Sequence, residues 1–161
     1  MDKIVDINKA IILSKKLRNQ GKKVVLVGGC FDILHIGHIT FLQKAKAAGD
    51  SLFVFLESDE SITKLKGKKR PINNQEDRAK ILGALESVDY VILLPPRLAD
   101  TDYDRMIIQI KPAIIAITSG DPYKKQKKRQ AALIDSHMIE ATDFISDQST
   151  SRLVKFLGKK L

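Results

Sequence analysis

Lys22-Lys23-Val24-Val25-Leu26-Val27-Gly28-Gly29-Cys30-Phe31-Asp32-Ile33-Leu34-His35-Ile36-Gly37-His38 is the stretch on which the fold turns. Residues 22–27 form a short β-branched run that ends at two glycines, which predicts a buried strand entering a tight turn. From residue 36 to 48 the apolar period becomes helical, with Ile39, Leu42 and Ala45 on one stripe and Gly49 as the stop. Strand, glycine turn and helix thus follow one another directly.

The alternation extends in both directions. Upstream, residues 6–18 place Ile7, Ala10, Ile11, Ser14 and Leu17 at helical spacing, with closure near Gly21. Downstream, 51–56 reads as the second strand. Residues 75–85 read as a helix with Ile81, Leu82 and Leu85 inward and Asn73 or Asn74 as its cap. A third strand at 88–94 stops at Pro95-Pro96; a helix at 102–110 and a fourth strand at 113–117 follow. Residues 124–133 are expected to be helical, 137–141 a weak fifth strand, and 149–157 a closing helix. This order predicts an α/β fold: a Rossmann-like parallel sheet with helices on both faces. No linker or repeat interrupts it, so one domain over residues 1–161 is expected, with a helix at about 6–20 packed on the core.

Composition narrows the function classes. With 43% hydrophobic and 29% charged residues, the chain has the balance of a soluble globular protein. Its longest apolar runs, such as 24–27 and 113–117, are far too short to cross a bilayer. Met1-Asp2-Lys3-Ile4 lacks the basic-then-apolar pattern of an export signal, so a cytoplasmic location is expected. The single cysteine, Cys30, excludes an internal disulfide and a cysteine-rich zinc site. The net charge of +9 suits either a polyanion such as nucleic acid or small, highly charged phosphates. Six Phe and three Tyr form no stacking platform interleaved with the basic runs, which counts against a basic nucleic-acid-binding module.

Parallel sheets bind ligands beyond the carboxyl ends of their strands, and three segments fall there. In the first, Gly28 and Gly29 let the backbone approach a ligand, and the helix beginning near Gly37 offers unpaired N–H groups to an anion. His35 and His38 stand at that helix entrance, where each could donate to the oxygens of a reacting phosphate. The alternatives are that they cap or pack, or that they bind metal; a usual zinc site needs a further ligand, and none is apparent nearby. His137, in an apolar setting, reads as structural. In the second segment Lys64 and Lys66 follow the acidic end of the second strand. Gly67 and Pro71 then bracket a loop that could close over a triphosphate, while Lys68 and Lys69 suit a solvated face. In the third, Ser119-Gly120-Asp121 makes either a plain turn or a corner presented to a base or ribose. Ser149-Thr150-Ser151 opens the last helix, where the hydroxyls cap it, bind phosphate, or do both. The basic run 124–129 reads as a solvated face able to attract an acceptor's phosphate.

The string Gly28 to His38 resembles the HxGH signature of the nucleotidyltransferase superfamily, in its cytidylyltransferase-like branch. The stretch 57–92 closely resembles the matching part of heptose-1-phosphate adenylyltransferases, and the likeness extends over about residues 23–157. The same tetrapeptide occurs in class I aminoacyl-tRNA synthetases, but this chain has no matching KMSKS segment. The resemblance implies an enzyme that joins the nucleotidyl group of an NTP to a phosphorylated small molecule and releases pyrophosphate, with magnesium accompanying the NTP. It implies catalytic roles for His35, His38, Lys64 and Lys66. It implies nucleotide contacts for Gly28, Gly29, Cys30, Phe31, His35, His38, Arg78, Ser119, Gly120, Asp121, Ser149, Thr150 and Ser151. Arg78 either binds phosphate or pairs with Glu76 or Asp77. ATP with a sugar 1-phosphate is the leading expectation; CTP with glycerol 3-phosphate or another polyol phosphate, and ATP with FMN, are the alternatives. Thr118, Ser119 and Gln148 depart from the family's residues at those positions, which leaves a binding homologue without catalysis as a further reading. The resemblance also implies a homodimer.

Overall fold

Val24 and Leu26 point to one side of their strand and Val25 and Val27 to the other, and all four are buried. That double burial is what a central parallel strand requires, since helices must cover both of its faces. The computed structural model describes residues 2–142 with Val154, Lys155 and Gly158. The helix expected over 149–157 therefore falls outside the described residues apart from Val154 and Lys155, and Ser149, Thr150 and Ser151 lie outside them entirely.

The elements are β1 (Ile4–Val5), α1 (Ile7–Asn19), β2 (Val24–Gly29), α2 (Ile36–Ala47), β3 (Ser51–Leu56), α3 (Asp59–Lys66), α4 (Gln75–Gly83), β4 (Tyr90–Leu93), α5 (Asp100–Ile110), β5 (Ile114–Thr118), α6 (Lys124–Leu133) and β6 (His137–Thr142). The strands form one six-stranded parallel sheet in the order β1-β4-β3-β2-β5-β6. The chain runs outward from β2 through β3 to β4, then returns to the other side of β2 with β5. Strand order therefore reverses between β2 and β5, and a crevice opens where their carboxyl ends diverge.

Two apolar layers cover the sheet. On one face Val24, Leu26, Phe53, Phe55 and Ile92 meet Ala10 of α1, Met106, Ile107 and Ile110 of α5, and Ala131 of α6. On the other face Val25, Val27, Leu52, Val54 and Leu56 meet Phe41, Leu42 and Ala45 of α2, and Ala79 and Leu82 of α4. Each of the larger buried side chains contributes on the order of 1.5–3 kcal/mol. Ser14 is the polar member of α1's inner face. Its hydroxyl donates to the Ile110 carbonyl at 2.6 Å, and Arg18 reaches the same carbonyl, so α1 is locked to the end of α5.

Four sequence expectations change. Ile81 is exposed, because α4 rests on Ala79 and Leu82 and turns its next residue outward. His137 is exposed at the start of edge strand β6 rather than set among apolar neighbours. β1 was not anticipated, since two residues carry no period. α3 was not anticipated either, and it moves the lysines from a loop onto a helix.

Candidate active site

Beyond β2 the backbone makes an unusual turn. Phe31 adopts φ 44°, a left-handed conformation that a bulky residue holds only when its surroundings impose it. Its ring is buried, and a Cβ added to Gly29 would stand 2.9 Å from it, so glycine is required at that position. The turn delivers His35 to the N-terminus of α2 and His38 to its first turn. His35 occupies the N-cap position but makes no side-chain capping bond, so capping is not what its imidazole does. The two rings stack with centroids 3.8 Å apart, and the Phe31 ring lies 5.4 Å from His38. Both Nδ1 atoms are buried without a hydrogen-bond partner. Burial pushes both pKa values down. For His38, with His35 and the Lys66 ammonium adding to it, the value falls to about 4. At neutral pH both rings are therefore uncharged, each with one N–H donor and one lone pair.

The lysines come from α3. Ser58 caps that helix by accepting from the Ser61 N–H, Asp59 and Glu60 occupy its first turn, and Lys64 and Lys66 its last, the arrangement the helix dipole favours. The two lysines serve different sides of the β2 turn. Lys66 acts electrostatically on His38 and on Cys30. Lys64 lines an open cavity of about 990 Å³ together with Gly28, Gly29 and Cys30. The cavity lies against the α5–α6 face of the sheet, walled by Leu26, Phe55, Ile107 and Ile115. Its polar lining includes Glu57 just after β3, Glu60 and Ser61 of α3, Arg97, Asp100 and Tyr103 of α5, and Lys127 with its α6 neighbours. The loop bracketed by Gly67 and Pro71 is tied at its far end to the β2 turn. Asp32 is buried and accepts from Arg70 Nε at 2.6 Å and from the Ile72 and Asn73 N–H groups. Burial alone would raise the Asp32 pKa; those donors hold it below the ordinary carboxylate value.

Arg78 corrects the expectation most sharply. It is fully buried, and its guanidinium donates to the carbonyls of Asn73, Cys30 and Glu57 and to the Asp59 carboxylate, all at 2.6–3.0 Å. It pairs with neither Glu76 nor Asp77, and it does not face the cavity. It braces the ends of β2 and β3 and the start of α3 from within.

Ser119, Gly120 and Asp121 form the turn after β5, across the crevice from Gly28 and Gly29, with Gly120 at φ 76°. Asp121 accepts from the Tyr123 N–H and from Lys127 Nζ. The basic run of α6 is largely neutralised, since Lys124 pairs with Glu140, Lys127 with Asp121 and Arg129 with Asp104. The structure thus brings together two groups: His35, His38, Phe31 and Lys66 on the α2 side, and Gly28, Gly29, Cys30 and Lys64 on the cavity side. Glu57, Tyr103 and Lys127 were not singled out from the sequence. Tyr103 and Glu57 meet across 46 positions, a distance no local pattern reports.

The family model described as cytidylyltransferase-like matches residues 26–150. Among curated proteins the chain is 43% identical to the bifunctional protein HldE of Wolinella succinogenes over 143 residues, covering 89% of this chain and 28% of that protein. It is 38% identical to HldE of Geobacter sulfurreducens, covering 98% of this chain and 31% of that one. The chain thus spans under a third of the length of these curated relatives. Among solved structures, the lipopolysaccharide core biosynthesis protein of Thermoplasma volcanium superposes with a TM-score of 0.60 at 28% identity, over 76% of this chain and 96% of that one. Pantoate-beta-alanine ligase of Francisella tularensis, with a TM-score of 0.62 over 88% and 67% of the two chains, shares the fold at 19% identity.

Proposed function

Because the chain belongs to the cytidylyltransferase-like family, and is a nucleotidyltransferase on that ground, we propose that it transfers AMP from ATP to the phosphate of a sugar 1-phosphate and releases pyrophosphate. The observation that carries this reading is the stacked His35–His38 pair, uncharged, with both Nδ1 atoms buried and unpartnered at a helix N-terminus beside Lys66.

An acceptor phosphate oxygen attacks the α-phosphorus while the bond to the pyrophosphate oxygen breaks. The attacking group is already ionised at neutral pH, so no protein nucleophile is needed. Negative charge accumulates on the α-phosphate and then on the departing pyrophosphate. Neutral imidazoles donate hydrogen bonds to that charge, and the mobile ammonium groups of Lys64 and Lys66 follow it. The turn at Gly28 and Gly29 brings backbone close to the phosphates, and the N-terminus of α2 faces the same charge. Ser119, Gly120 and Asp121 stand across the crevice, where the nucleoside would lie. Magnesium would enter with the triphosphate, held chiefly by its phosphate oxygens and water. ATP and a sugar phosphate are favoured by the resemblance of residues 57–92 to heptose-1-phosphate adenylyltransferases. CTP with a polyol phosphate is the second reading, since the departures at Thr118 and Ser119 count against a sugar substrate.

A pyrophosphate-release screen crossing ATP, CTP, GTP and UTP with phosphorylated acceptors tests the proposal. Its outcome should single out ATP with a sugar 1-phosphate. Replacing His35 or His38 by Ala should then lower turnover on the order of 100- to 1,000-fold, the cost typical of losing one such donor. Near-normal turnover in folded variants would overturn the assigned roles.

A further inference from the structure

The cavity behind the glycine turn is separate from the histidines, and its chemistry is uneven. Most of its wall is aliphatic or aromatic, yet Glu57 projects a carboxylate into it. In such surroundings a carboxylate is costly unless hydrogen-bonded. Tyr103 supplies one O–H, shared between Oε1 and Oε2 at 2.9 Å each. A carboxylate accepts at about four lone-pair sites, and Tyr103 is the side-chain donor on Glu57 among the described hydrogen bonds, with Lys127 on the same cavity lining. Lys64 lies on the same cavity beside Gly28 and Gly29, and the Glu57 N–H donates to the Gly29 carbonyl at 3.1 Å. The Glu57 backbone is therefore fixed beside the glycine turn, and Tyr103 holds its carboxylate. A second anion would be repelled from Glu57. A hydroxyl group would donate to it.

Resting on the function proposed above, we infer that this cavity seats the acceptor's carbon skeleton and that Glu57, held in place by Tyr103, selects acceptors by hydroxyl groups near the phosphate. The phosphate end lies toward Lys64 and the glycine turn, and the skeleton extends along the apolar wall toward Ile107. Lys64, on the last turn of α3, then meets the acceptor's phosphate where it joins the α-phosphate, and Lys66 stays on the histidine side.

The test is calorimetric binding in the presence of a non-hydrolysable ATP analogue. The probes are mannose 1-phosphate against its 2-deoxy counterpart, and glycerol 3-phosphate against propyl phosphate. The wild-type chain should prefer a hydroxylated probe by roughly ten- to a hundredfold, the ratio set by a hydrogen bond to a charged group. Glu57→Ala should reduce that preference to within about twofold while leaving the analogue's own Kd within about twofold. Tyr103→Phe, which preserves the carboxylate but frees it, should give an intermediate preference. The idea is overturned by no hydroxyl preference in either pair, by a preference that survives Glu57→Ala in folded protein, or by a loss that follows weakened analogue binding. The hydroxyl preference with no pyrophosphate released from any NTP would sink the proposed reaction and leave the Glu57 assignment standing.

Discussion

At the scale of single residues, the neutral histidines carry a cost that pH reveals. The His38 ring takes up its proton near pH 6.5 when unfolded but only near 4 in the folded chain. Between those values the unfolded chain binds more protons, so stability falls as pH drops through the window, by up to about 3 kcal/mol. Glu57, whose pKa burial pushes up, works in the opposite direction, so the histidine is best isolated by difference. From pH 7.5 to 4 the urea midpoint of the wild type should fall relative to that of His38→Gln. Parallel curves would show that His38 is not buried uncharged. The imidazole pair was legible in the sequence because it follows a glycine turn at short spacing. Its stacking and its depressed pKa were not, since they depend on the Phe31 turn and on Lys66 arriving from another helix. Arg78 shows the opposite case. An arginine in a charged helical start reads as a phosphate ligand, and nothing local announces that its acceptors lie up to 48 positions away.

The elements explain how those residues are held. β3 was read to the residue because 51–56 is buried on both faces, and a continuous apolar run has no other place in this fold. α3 was missed because only Ile62 among its eight residues is fully buried, so its apolar period is too brief to see. The cap at Ser58 and the acid-to-base ordering of its charges were the signals that could have found it. Its orientation depends on Arg78, whose Nη2 binds both the Glu57 carbonyl and the Asp59 carboxylate at the β3–α3 junction. Replacing Arg78 by Met takes the donor from three backbone carbonyls and leaves the half-exposed Asp59 carboxylate to water, and should destabilise the fold by about 2–4 kcal/mol in urea titrations. Arg78→Lys should recover only part of that, because one ammonium cannot span the same carbonyls. A loss below about 1 kcal/mol in Arg78→Met would mean that the junction is held by something else.

Across the whole molecule, charge and topology converge on one edge of the sheet. The +9 balance left two classes of anion open. The structure removes much of the ambiguity on α6, where three cations are paired with carboxylates, and leaves Lys64 and Lys66 exposed at the switch-point edge. An unpaired basic face would attract any polyanion, whereas one lysine on the cavity and one beside the histidine pair suit a small one. A compact triphosphate should therefore stabilise the fold, and a duplex should not. At a hundred times its Kd a ligand specific to the folded state adds about 2.7 kcal/mol. For a domain of this length that is a rise in Tm of roughly 5–10 °C. Thermal melts in 0.15 M salt with saturating magnesium ATP should show it, and His38→Ala with Lys66→Ala should abolish most of it. A short DNA duplex at equal phosphate concentration should move Tm by less than about 1 °C. A duplex shift matching that of ATP, lost as salt rises, would return the positive charge to nucleic acid and leave the histidine pair without a triphosphate to meet.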